Sequence, residues 1–166
     1  MTGSSARRRP ASIMPALFAF LLLVLPAAAA HAGEQYTDRQ GRALNGYDPV
    51  SYFSETGPVR GLETITTEYN GASWWFASEA SRAAFIAEPA RYAPAYDGHC
   101  AYALAHGRKV RSDPQAWQIV DGRLYLNFST AIHQRWQADI PGYLQQSEAN
   151  WPTVEPEAAA RPSRWF

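Results

Sequence analysis

Two dipeptides, Asn70-Gly71 and Asp121-Gly122, limit this chain more than any other feature. Each stands between runs of β-branched and aromatic residues. Both positions of such a tight turn need positive φ, which Asn, Asp and Gly tolerate, so each pair predicts a two-residue β-hairpin. The first joins Thr64–Tyr69 to Ala72–Phe76, and the second joins Gln118–Val120 to Arg123–Phe128. A serine follows each hairpin, Ser78 and Ser129, and its hydroxyl can cap a helix. The chain thus contains two hairpin-then-helix units and shows no further internal repeat.

The first helix is rich in alanine, with Phe85 on its apolar stripe, and Pro89 marks its end or a short break. A second, shorter helix is expected over His99–His106, closed by Gly107. Ser112-Asp113-Pro114 reads as a turn that starts one helical turn through Trp117. The last helix is expected over Thr130–Ala138, with a restart at Tyr143–Asn150. Residues 33–43 are polar and read as a loose lead-in. Pro and Ala dominate from Pro152 onward, so residues 152–166 read as a flexible tail. The fold class is α+β: one small antiparallel sheet from two hairpins, packed with about three helices.

The opening carries Arg7, Arg8 and Arg9, an apolar run from Ile13 to about Leu25, and the small-residue motif Ala30-His31-Ala32 before Gly33. That order predicts a secretory signal peptide over residues 1–32, cleaved near Ala32. An uncleaved N-terminal anchor is the alternative, but the run falls short of the about 20 residues a span needs. Cleavage would leave 134 residues with 12 basic and 15 acidic side chains, a net −3. That balance, with no cluster of Lys or Arg, argues against nucleic acid as a partner. No later run reaches membrane length. A periplasmic or secreted domain over residues 44–151 is the expectation.

Exported proteins usually pair their cysteines, yet this chain has only Cys100. An unpaired cysteine there is buried and inert, linked between molecules, or chemically used. Gly98 and His99 precede it, which would place the sulfur near a helix N-terminus beside an imidazole and favour thiolate. Its neighbours, Ala101 to Leu104, are those of a core residue. His99 and His106 are seven residues apart, and Cys100 and His106 point to different helix faces, so this segment alone does not close a four-ligand site. Residues such as Asp48, Asp97, Asp113 or His133 would have to complete one. The sequence lacks a P-loop, a dinucleotide glycine motif, a C-x-x-C-H haem motif and a G-x-S-x-G elbow, so nothing in it speaks for an enzyme.

From Asn45 to about Trp151 the chain resembles the YHS-domain family, specifically its exported stand-alone branch. Asp48-Pro49-Val50, Trp75-Phe76, Phe85, Glu88-Pro89, Tyr92, the run Tyr96–Ala103 and the run Asp121–Asn127 carry the resemblance. The family is associated with heavy-metal handling, as in copper-transporting ATPases. Its metal-handling members carry three cysteines where this chain has Ser51, Ala77 and Ser81, so the resemblance implies the fold without that thiol site. Soft thiolates suit copper(I) and zinc. The resemblance therefore implies a non-enzymatic module that binds copper, or zinc, or meets a metal-handling protein. Cys100 would anchor the ion, assisted by His99, His106 and Asp97. A single-cysteine thiol redox protein and a ligand-free interaction module that keeps only the fold are the alternatives.

Overall fold

A computed structural model describes Met1, Gly3 and residues 33–162. Apart from Met1 and Gly3, the expected signal peptide lies outside the described residues, as do the last four residues. Residues 33–162 lie in one compact unit. It is α+β, with four strands and five α-helices among the described residues, besides three short 3-10 turns: β1 (Leu62–Tyr69), β2 (Ala72–Phe76), α1 (Glu79–Ala87), α2 (Pro89–Tyr92), α3 (Ala101–Ala105), β3 (Asp113–Val120), β4 (Arg123–Asn127), α4 (Thr130–Gln137) and α5 (Ile140–Val154).

Both hairpins form at the expected dipeptides. Asn70 and Gly71 have φ of 50° and 71°, and Asp121 and Gly122 have φ of 48° and 76°. The hairpins do not merge into one sheet, however. β1 pairs only with β2, and β3 only with β4, giving two separate two-stranded sheets. In each, the register shifts before the turn-proximal pairs, between Leu62 and Thr66 and between Asp113 and Trp117. The second shift corrects the helical turn expected at residues 114–117: those residues extend β3, because Asp113 pairs back to Asn127.

A two-stranded sheet is marginal by itself, so each hairpin is covered by helix. Alternation along β2 turns Ala72, Trp74 and Phe76 inward. They meet Phe85 of α1, with Trp74 and Phe85 ring centroids 4.8 Å apart. Ser78 and Ser81 close a reciprocal capping box at the start of α1. The second core lies around Leu104, Tyr125, Trp136 and Val154, where α3, β4, α4 and α5 converge. Five helices therefore stand where about three were expected. Pro89 splits the first into α1 and α2, and α5 restarts on its Asp139 cap, whose Oδ1 accepts from Gly142 N at 3.0 Å.

The two ends of the unit are better anchored than the sequence suggests. Tyr36 is buried, and its N–H donates to the Asp97 carbonyl at 2.8 Å. The lead-in is therefore tied to the middle of the chain. α5 runs through Pro152 to Val154, which is buried, so the tail does not begin at residue 152. Beyond it, Lys109 Nζ donates to the carbonyls of Glu155 and Glu157 at 2.8 and 2.6 Å.

The two buried indoles differ in one respect that can be measured. Trp74 Nε1 donates to Tyr69 O at 2.8 Å, whereas Trp136 Nε1 is buried without a partner. Replacing either ring by phenylalanine removes similar volume, but only Trp74→Phe breaks a hydrogen bond. Trp136→Phe instead removes an unsatisfied donor. Trp74→Phe is expected to be the costlier by about 1 kcal/mol in urea unfolding.

Candidate functional site

Cys100 sits at the N-cap of α3, as its neighbours suggested, and is 1% exposed. Its backbone N–H donates to Val110 O at 3.0 Å, and the residue bridges to Leu126 of β4. The backbone N–H groups of Ala103, Phe128 and Tyr102 act to lower the thiol pKa, but burial outweighs them and pushes it up. Of the two readings the sequence left open, burial thus outweighs the helix N-terminus. The thiol donates towards Asn127 Oδ1 at 3.8 Å. Asn127 is fully buried at the end of β4. Its Oδ1 also accepts from Tyr102 N at 3.2 Å, and its Nδ2 meets His133 Nδ1 at 3.2 Å. Cys100, Asn127 and His133 thus form one polar chain.

The four residues expected to share an ion do not converge. His99 is fully buried. Its Nδ1 meets the Tyr96 carbonyl at 2.9 Å, and its Nε2 accepts from the Ala160 N–H at 3.1 Å. Both ring nitrogens are engaged, so no lone pair is left for a metal. Desolvation lowers its pKa to about 4, which keeps the ring neutral. Asp97 lies near the lead-in, with Oδ2 buried and unpartnered, and burial raises its pKa. Only His106 joins Cys100. Both line a pocket of about 170 Å³, along with Tyr102, Ala103, Val110 and Phe128. The histidine ring lies 4.7 Å from that of Tyr102. The C-cap position of His106, after a five-residue helix, brings it to the same pocket as Cys100. Among the described residues, no three His, Cys, Asp or Glu side chains are grouped to hold a metal ion.

Asp48 marks a second constellation. It is 1% exposed, and its side chain accepts from Val50 N at 2.9 Å, Ala77 N at 2.9 Å and Ser81 Oγ at 2.6 Å. Ser51 Oγ donates to the Asp48 carbonyl at 2.6 Å. Ala77 and Ser81 thus bond the buried Asp48 carboxylate, while Ser51 bonds the Asp48 backbone carbonyl.

A larger cavity, of about 420 Å³, lies elsewhere. It is an open cleft that brings together Arg39 of the lead-in, Arg60 before β1 and Arg111 before β3. Arg60 lies over the Tyr47 ring at 4.2 Å and donates to Asn45 O at 2.8 Å, while Arg111 lies over the Phe128 ring at 4.5 Å. Two acidic residues also line it. Asp38 is already paired with Arg42 at 2.7 Å, and Asp113 Oδ1 accepts from Gln115 N at 2.9 Å. The cleft thus gathers three guanidinium and two carboxylate groups between flat aromatic walls. Sequence reading missed it because the three arginines are isolated along the chain and form no cluster.

The chain matches no known family model, no curated protein and no solved structure. No helix among the described residues is long and apolar enough to cross a membrane.

The inward-facing thiol makes a direct prediction. Iodoacetamide is expected to leave Cys100 unlabelled in the folded protein and to label it fully in denaturant, as read by intact mass. Rapid labelling without denaturant would show that the pocket opens to the sulfur.

Proposed function

We propose that this chain is an exported, YHS-like, non-enzymatic binding module that takes a small anionic ligand in the three-arginine cleft. The observation that carries the reading is the meeting of Arg39, Arg60 and Arg111, from three separate segments, in one cavity of about 420 Å³. That size falls within the range of small-molecule sites, and such a pocket with a few convergent polar groups is the default binding site. Guanidinium forks suit carboxylate and phosphate groups. The tyrosine and phenylalanine rings favour a ligand with a flat body, such as an aromatic carboxylate.

Calorimetric titration with phthalate and, separately, inorganic phosphate tests this. Saturable one-site binding of phthalate is expected, weakened about tenfold or more in Arg60→Ala, since a charged hydrogen bond contributes about 1.5–3 kcal/mol. Added salt should weaken it further. The absence of saturable binding of either anion at millimolar concentration would overturn the reading.

A second reading keeps the soft-metal function, with copper(I) held by Cys100 and His106. It is supported by their shared small pocket and opposed by burial that holds the proton on the thiol. Native mass spectrometry with copper(I) and zinc(II) separates the two. One equivalent lost in both Cys100→Ser and His106→Ala would favour the metal. Thiol redox chemistry at Cys100 has less support, because its sulfur is buried and protonated.

A further inference from the structure

We propose that cleavage after Ala32 converts Gly33 into a docked N-terminus whose new α-ammonium pairs with the side chain of Asp97. The site is built from both sides. A Cβ on Gly33 would overlap Asp97 Oδ2 and come within 2.8 Å of Glu155 O, so the glycine lies directly against that oxygen and only glycine fits. Oδ2 is buried and has no hydrogen-bond partner. A buried carboxyl oxygen left unpartnered is costly. As long as Gly33 is joined to Ala32, its nitrogen is an amide in the chain. Cleavage supplies a charged donor set that is free to turn about the Gly33 Cα–C bond.

The surroundings hold both partners in place. Asn70 Nδ2 donates to Gly33 O at 3.2 Å. Gln35 Nε2 and Tyr36 N both donate to Asp97 O at 2.8 Å, fixing a residue whose φ is 52°. Glu34 Oε2 accepts from Ala159 N at 2.9 Å. The first residues after the expected cleavage point are thus bonded at Gly33, Glu34, Gln35 and Tyr36. Two other charges face Asp97. Lys109 draws it towards ionisation and Glu155 opposes it. Lys109 Nζ is already bonded to the carbonyls of Glu155 and Glu157. Gly33 Cα lies beside Oδ2, within reach of a donor carried on its own nitrogen. The inference is independent of the arginine cleft.

The sign of the Asp97 titration decides the matter. With an amide at Gly33, burial holds the Asp97 pKa above its ordinary value. With an adjacent ammonium, it should fall below that value, about 3.9 for an unperturbed aspartate. The exported, processed protein would be recovered, its first residue read by intact mass, and its α-amine acetylated in a second sample. Carboxyl ¹³C NMR should show Asp97 titrating about 1 unit or more lower with the free amine than after acetylation. Acetylation should also lower thermal stability at pH 6, and this loss should vanish in Asp97→Asn. Asparagine accepts the left-handed backbone of residue 97, so that variant should fold. A processed chain that starts elsewhere than at Gly33 would overturn the proposal. So would an Asp97 titration that is identical in the free and acetylated proteins.

Discussion

Asp48→Ala is expected to lower the free energy of unfolding by about 4 kcal/mol, a large part of the ~5–15 kcal/mol that holds a domain of this size. The substitution removes the acceptor of three hydrogen bonds from Val50 N, Ala77 N and Ser81 Oγ. The donors it strands lie where the turn at residues 51–53 meets the start of α1. Ser81 is also half of the capping box of that helix, so its hydroxyl would lose its anchor while still bonded to Ser78. Asp48→Asn keeps the shape but puts an amide N–H opposite another donor, and should cost about half as much. Urea denaturation of the two variants checks both the size and the order. Equal, small losses would mean that water reaches this pocket and replaces the carboxyl group.

Acidification from pH 6.5 to pH 4 is expected to remove about 3 kcal/mol of stability through His99 alone. Its folded-state pKa is lowered from 6.5 to about 4. The unfolded chain therefore takes up a proton that the folded chain refuses across that interval, a gap of about 2.5 units. The contribution is complete above pH 6.5 and is lost as pH falls towards 4. The structural reason is visible at Nε2, which accepts the Ala160 N–H. A proton there would set donor against donor and release the segment that follows α5. Asp97 works in the opposite direction while its pKa is raised, because its protonation relieves an unpartnered buried oxygen. Unfolding free energies of the wild type and His99→Asn, measured from pH 7 to pH 4, separate the two. The variant should start less stable and show a much flatter acid limb. Parallel limbs would mean that His99 is protonated in the folded protein.

The hairpin turns and the helix caps were legible because each is decided by residues a few positions apart. Asn70-Gly71 and Asp121-Gly122 needed nothing beyond their own backbone preferences, and Ser78 and Ser129 reach an N–H three residues on. The position of Cys100 at a helix start was legible for the same reason. Its chemistry was not. A helix N-terminus favours thiolate and burial favours thiol, and which wins depends on how deeply β4 covers the sulfur. The lead-in and the tail misled because polarity and proline content report on the segment itself. Tyr36 and Val154 are held by what they pack against.

The sequence by itself determined two hairpins, the helices that follow them and an α+β class, since local dihedral preference and alternation decide these. Only the tertiary structure decided that the hairpins remain two sheets. It alone joined Asp48 to Ser81, 33 residues away, Cys100 to Asn127, 27 away, and Tyr52 to Pro114, 62 away. It also turned His99 from an expected ligand into a satisfied core residue and gathered three scattered arginines into one cleft. Contacts of that kind depend on how separate elements stack, and no pattern within a single element encodes the partner it will meet.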